Sequence, residues 1–336
     1  MSEKRVTLKD ISSVSGLSVP VVSRILNGKE TYCSERKTAE VRDIARRLGY
    51  RPNVGYNIMT GKETNVAGII FSQKRITHNH HITQLYMNLC SKLRERNFAS
   101  YSMVMSSSVS PEEQLRHLQE LDDLGCRYYI FIGHPAGYEK YQEFIQHSAR
   151  NFICMNNFSS PRRIITDIAG ANVSYIRSCL ADGMENFKIV ATSGFMEHSI
   201  LPKLPSDLHD FIRRRTVAPN KLAEDSPSPD VGQFRNGYEI MQQELRSNPE
   251  IASIVFPSDY HALGAAKALC EKNMRGVKLH GMNCSLASKY APYPITTTEF
   301  DMDKCADLLL DNMSGSDEVN IELPGKEIYF NLFDNF

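Results

Sequence analysis

Residues 7–27, TLKDISSVSGLSVPVVSRILN, constrain this chain more than any other stretch. Thr7 stands where a cap precedes a helix beginning at Leu8, with Asp10 in its first turn. Leu8, Ile11 and Val14 recur on one face, and Gly16 supplies the stop. Ser18 then caps a second helix, with Val22, Ile25 and Leu26 inward and Val19, Pro20, Ser23, Arg24 and Asn27 outward. Pro20 falls in the first turn, where the amide it lacks has no helical partner. Two short helices joined by a glycine-containing turn form a helix-turn-helix, whose second helix can enter the DNA major groove. On spacing alone, a helical hairpin packed on a core is an equal alternative.

Charge bears on the same question. Residues 1–62 hold 12 Lys/Arg against 6 Asp/Glu, whereas the remaining 274 hold 27 against 33. A basic head on an acidic body is the footprint of a chain that sets one end on phosphates. At 336 residues the chain suits a small head and a body of one or two lobes. Its eight cysteines are scattered, without a CxxC pair or a Cys/His metal spacing, which implies reduced thiols. With no signal peptide and no apolar run of spanning length, the expected location is the cytoplasm.

The run VTLKDISSVSGLSVPVVSRILNG is followed by SERKTAEVRDIARRLGYRPN and by a short segment ending at Gly61-Lys62. Over residues 6–62 it resembles the DNA-binding head of the lactose-repressor (LacI/GalR) family of bacterial transcription regulators, and a weaker likeness runs to the end of the chain. The resemblance implies a head over 1–50, a hinge over 51–63 and a two-lobed body over 64–336, joined by three crossovers. It places Val19 and Pro20 where the family chooses its operator. Neither carries a hydrogen-bonding side chain, so they offer apolar contact only, while Arg24 has the reach for guanine O6/N7. Thr7, Ser18, Ser23 and Asn27 suit phosphate oxygens, and Asn53 is a further candidate DNA contact. In the hinge, PNVGYNIMT (52–60), the resemblance puts Met59 at a position that wedges into the minor groove. A plain flexible linker is the alternative, since nine residues do not hold a helix alone.

A third helix capped by Ser34 should bury Val41, Ile44, Ala45 and Leu48, and expose Arg42, Arg46 and Arg47 to solvent or to loose phosphate contact. From Val66 onward, buried strands alternate with amphipathic helices, the pattern of parallel Rossmann-like sheets. Strands are expected near 66–71, 100–105, 127–132 and 152–155, and again after Pro161 near 163–166, 187–192, 251–256 and 277–281. The fold expected is therefore a small all-α helix-turn-helix head on an α/β body of two lobes, like the periplasmic binding proteins. The first lobe would span about 64–160 with a return near 295–315, and the second about 161–292 plus 318–336.

Ligands of such sheets sit at the carboxyl ends of strands, so the strand-end residues Ser72, Asn156, Asp167, Asp259 and Asn283 are candidate effector contacts. The resemblance implies a sugar-binding role for Asp259, with a helix cap as the plain alternative. Where the family carries an effector-clamping arginine the chain has Pro202, and neighbouring Lys203 lacks the bidentate fork. The run at His78, His80 and His81 lacks further ligands to complete a metal site. No cofactor, metal or catalytic constellation is expected. The expectation is a homodimeric, sequence-specific repressor of a carbohydrate-utilisation operon. Its operator affinity would be set by a sugar or sugar phosphate in the cleft or, alternatively, by a protein partner acting on a body with a degenerate cleft.

Overall fold

A computed structural model describes residues 6–26, 32–50, 55, 64–71, 80–105, 110–133, 143, 151–156, 159–219 and 229–331. They form two compact units that divide between Thr64 and Asn65.

The head holds three helices: α1 (Leu8–Ser15), α2 (Val19–Leu26) and α3 (Glu35–Arg47). The Asp10 carboxylate accepts from both the Thr7 amide and the Thr7 hydroxyl at 2.7 Å, which fixes the start of α1. Gly16, at φ 72°, takes the left-handed conformation that ends it. Ile11, Val22, Ile25, Val41, Ile44 and Ala45 close the core between the three helices. Two expected core positions lie outside it: Val14 is 59% exposed and Leu48 38% exposed. The helical stripe from Leu8 and Ile11 continues at Ser15, which is buried, because side chains three or four residues apart share a face and those six apart drift off it.

The body contains two six-stranded sheets. The first runs β11-β5-β4-β3-β1-β2 and is parallel throughout. Its strands are β1 (Val66–Phe71), β2 (Ala99–Val104), β3 (Tyr128–Ile132), β4 (Asn151–Met155), β5 (Arg162–Thr166) and β11 (Val319–Leu323). The second runs β12-β10-β9-β8-β6-β7, with only β12 antiparallel. It is built from β6 (Phe187–Val190), β7 (Thr216–Val217), β8 (Ser253–Val255), β9 (Lys278–Met282), β10 (Ile295–Phe300) and β12 (Gly325–Phe330).

Helices α4 (His80–Glu95), α5 (Pro111–Asp123) and α10 (Met302–Asp311) belong with the first sheet. Helices α6 (Ile168–Ala181), α7 (His209–Arg213), α8 (Pro229–Ser247) and α9 (Asp259–Glu271) belong with the second. Fully buried strands such as VAGIIF and YYIFI explain the continuous apolar runs of the sequence, since both faces of a parallel sheet are covered. Helices α4 and α10 lie side by side over one face, where Leu85, Leu89, Cys305 and Leu309 bury against Ile69, Ile130 and Ile153.

Three expectations about lobe membership are corrected. The strand near 163–166 pairs with β4 and β11 in the first sheet and does not open the second lobe. Parallel neighbours generally need a crossover of about a dozen residues, yet only residues 156–161 separate β4 from β5, so the break after Pro161 looks like a lobe boundary. The strand near 295–300 stays in the second sheet between β9 and β12, and the return to the first lobe begins with α10. Within 318–336, β11 joins the first sheet and only β12 the second. The expected helix near 138–147 lies outside the described residues apart from position 143, which is helical.

Candidate nucleic-acid interface and cleft site

Helix α2 turns Val22 and Ile25 into the head core and leaves Ser18, Pro20 and Arg24 exposed, with Val19 and Ser23 half-buried. Arg24 has no ion-pair partner among the described residues. Thr7 is different: its hydroxyl proton and its amide are both given to Asp10, and that carboxylate beside it opposes a phosphate. Asn27, Asn53, Met59 and the rest of the expected hinge apart from position 55 lie outside the described residues. On α3, Ser34 caps the first turn by accepting from the Lys37 amide at 3.3 Å. Arg42, Arg46 and Arg47 are exposed, with Arg47 paired to Asp43 at 2.9 Å.

In the body, the expected cleft residues sort into different local roles. Asp259 is the first residue of α9 and only 1% exposed. Its carboxylate accepts from Thr297 Oγ1 at 2.6 Å and from the Ser285 amide. Burial pushes its pKa up, against the pull of those hydrogen bonds. Gly281 makes this close packing possible, because a Cβ there would sit 2.2 Å from Asp259 Oδ1. The carboxylate thus faces inward, where it braces the 285–288 turn against β10.

Asp167 follows β5 and caps α6, with Oδ1 accepting from the Gly170 amide at 2.8 Å. The same oxygen receives Lys203 Nζ at 3.1 Å, and Lys203 also reaches Glu322 Oε2 at 3.0 Å. Both carboxylates raise the Lys203 pKa, Glu322 most. Glu322 belongs to β11 of the first sheet, whereas Lys203 lies between β6 and β7 of the second, so the ammonium ties one lobe to the other.

Asn156, at φ 54°, holds the ends of β4 and β5 together. Its Oδ1 accepts from the Thr166 amide at 2.8 Å and from the Thr166 hydroxyl at 3.1 Å, and its Nδ2 donates to no described group. Asn283, at φ 86°, follows β9 and also keeps its side-chain amide unspent among the described residues. Ser72 lies outside the described residues. No hydrogen bond among the described residues joins the Asp167 cluster to the Asp259 cluster.

Sequence reasoning missed Glu322, Thr297 and Ser285, each a common polar residue with no local signal. It treated His81 only as part of a histidine run. His81 is 5% exposed in the first turn of α4, and neither ring nitrogen completes a hydrogen bond. Burial, then the neighbouring His80, push its pKa down to about 4, against a weak counter-pull from the Asn283 backbone. No cluster of three or more metal-ligating side chains occurs among the described residues, nor is any described helix long and apolar enough to cross a membrane.

A helix-turn-helix head followed by two mostly parallel α/β lobes is the architecture the chain shares with the DNA-binding transcriptional regulators it resembles. Residues 7–53 match the family described as bacterial regulatory proteins, lacI family. The chain is 24% identical over 304 residues to the HTH-type transcriptional regulator AglR of Rhizobium meliloti, covering 88% of this chain and 80% of that one. It is 28% identical over 139 residues to the sucrose operon repressor of Pediococcus pentosaceus, or 41% of this chain and 40% of that protein. The fold superposes on the lac repressor dimer bound to operator and the anti-inducer ONPF, with TM-score 0.67, 17% identity and coverage of 97% and 98%. It also superposes on the transcriptional regulator CelR–cellobiose complex, with TM-score 0.59, 16% identity and coverage of 96% and 98%. Residues 7–53 thus carry the lacI-family DNA-binding domain, and the rest of the chain is similar in fold to the bodies of LacI-type regulators.

Proposed function

We propose that this regulator is a homodimeric repressor of carbohydrate-utilisation genes whose operator affinity is set by a sugar-like molecule between the lobes. The observation that carries the reading is the Lys203 bridge to Asp167 and Glu322, an ion pair that depends on how the lobes are set. A ligand shifts such an equilibrium only by binding one arrangement better than the other. The unspent amides of Asn156 and Asn283, at strand ends of different lobes, are the proposed hydrogen-bonding contacts. Asp259 braces the second lobe from within. Relatives named for the sucrose operon and a neighbour named for its cellobiose complex support the ligand class.

In the head, Arg24 is the proposed base reader, Val19 and Pro20 supply apolar contact, and Ser18 and Ser23 suit phosphate oxygens. The dimer has support from edge strand β2, which exposes Tyr101 and Val104. A cytoplasmic location accords with this role.

The second reading, control by a protein partner, is favoured by one observation: the carboxylate expected to hold a sugar is already occupied by Thr297 and Ser285. A thermal-shift panel of sugars and sugar phosphates decides between them, because a ligand bound only by the folded state raises Tm with concentration. One compound raising Tm supports the effector reading. A flat panel moves the weight to the partner.

A further inference from the structure

The two sheets differ in what they present to the helices above them. The first sheet offers Ile69, Ile130 and Ile153 to α4 and α10, an ordinary apolar layer. In the second sheet the face toward α6 carries Val255 and Met282, which pack with Ile176 and Cys179, and beside them Ser253, Lys278, His280, Thr296 and Tyr329 over β8, β9, β10 and β12. Alternate residues Ile254, Leu279 and Ile295 point the other way, into the core beneath α8 and α9. Beside this packed part, the polar side chains border a cavity of about 520 Å³ walled by Tyr175, Ser178 and Cys179. A second hollow of about 350 Å³ extends it along α6, sharing Ser178 and Glu327 and ending at Asp167, Pro324 and Gly325.

This groove lies at the amino ends of β8, β9 and β10, opposite to the strand ends considered above. Its charges sum to zero: Lys278 pairs with Asp182 at 3.2 Å, and the lining adds one further cation, Arg275, and one further anion, Glu327. Burial, then Lys278, push the His280 pKa down to about 4, so its imidazole is neutral. The side chains of His280, Thr296 and Ser178 make no hydrogen bond among the described residues, so donors and acceptors stand ready in a space of ligand size. Tyr329, 59% exposed, sets an aromatic face at the rim.

We propose that this groove is an accessory binding site for an uncharged saccharide of two or three units, separate from the cleft between the lobes. Hydroxyls of the sugar meet Thr296, Ser178 and the His280 imidazole, and its C–H face lies on Tyr329. A charged ligand gains nothing from a wall with no net charge, and an apolar one leaves three polar side chains unpaired. The inference rests on the second lobe alone and not on the cleft reading.

The chain has no tryptophan, so Tyr329→Trp in the full-length protein places a single emitter at the rim. Titration of this reporter with sucrose, cellobiose and maltotriose should give a saturable emission change with at least one of them. Adding Thr296→Val or His280→Phe should weaken that binding about tenfold each, with melting curves confirming that both variants fold. No saturable change with any of the three sugars overturns the proposal, as does a change that survives both substitutions unaltered. A sugar-induced thermal shift that ignores both substitutions also counts against the groove while leaving the cleft reading intact.

Discussion

Lys203 Nζ stands 3.0 Å from Glu322 Oε2, an ion pair that joins the second lobe to the edge strand of the first sheet. Asp167 shares the same ammonium at 3.1 Å, so one lysine is held by the cap of α6 and by a crossover strand. At the neighbouring position, Pro202 here, the family resemblance implies an arginine that clamps ligand. Here the cation already has two protein partners.

Lys203→Met should therefore change regulation more than stability. Partly exposed pairs contribute at most about 1 kcal/mol, so Tm should move by a few degrees or less. Operator affinity and its response to ligand should shift several-fold, because the lobes lose a link specific to one arrangement. Melting curves paired with mobility-shift titrations measure both.

The inward carboxylate of Asp259 makes the opposite prediction. Asp259→Ala leaves the Thr297 hydroxyl and the Ser285 amide without their acceptor inside the second lobe. Loss of about 2–4 kcal/mol in unfolding free energy is expected. Denaturant titration of the isolated variant measures it.

Close packing of α8 on α9 is equally exposed to substitution. A Cβ on Gly237 would lie 1.9 Å from the His261 carbonyl oxygen, and one on Gly264 would lie 1.9 Å from that of Phe234. Both obstacles are backbone, so the helices must separate. Gly237→Ala or Gly264→Ala should cost about 1–3 kcal/mol or more, whereas Gly194→Ala, with nothing near its Cβ, should cost little.

Acid should destabilise the body through its histidines. Burial pushes His81, His261 and His280 down to about 4 from the ordinary 6.5. Between those values the unfolded chain binds more protons than the folded one. Stability is thus complete above about pH 6.5 and falls as pH drops toward 4. Each histidine contributes up to about 3 kcal/mol of that loss. Asp259, whose folded pKa is raised, works the other way: its burial costs stability as pH rises above the ordinary carboxylate range. Tm measured from pH 7.5 to 4 should fall steadily, and His261→Phe should flatten the slope.

Exposed Arg24 on α2 should matter for DNA and not for folding. Arg24→Met should lower operator affinity by about 1–3 kcal/mol and leave the head's melting unchanged. Competition binding against non-specific DNA across a salt series checks it.

The head was legible because its signals are local. Thr7, Asp10, Gly16 and Ser34 mark helix ends within a few residues, and the structure uses each of them in place. Strand positions were legible for the same reason, since apolar runs such as VAGIIF announce buried strands. Which sheet a strand joins was not. The sequences of β5, β10 and β11 say only that each is extended, while their partners lie far along the chain or beyond an unusually short connection. Asp259 teaches a similar lesson, since its place after a strand and at a helix start fits a ligand contact or an internal brace. Only Thr297, 38 residues away, and Ser285 show where its oxygens point. The polar patch on the second sheet was hidden likewise, because Ser253, His280, Thr296 and Tyr329 come together from four strands.

The most direct test of the account is a footprint of the full-length protein on DNA upstream of its own gene and its neighbours, with and without the sugar that raises its Tm. The account predicts protection of a pseudo-palindromic site, weakened or strengthened at least tenfold by that sugar, with the sugar's own affinity changed by the same factor when operator is bound. Protection of no specific site, or a protected site indifferent to a sugar that demonstrably binds, would contradict it.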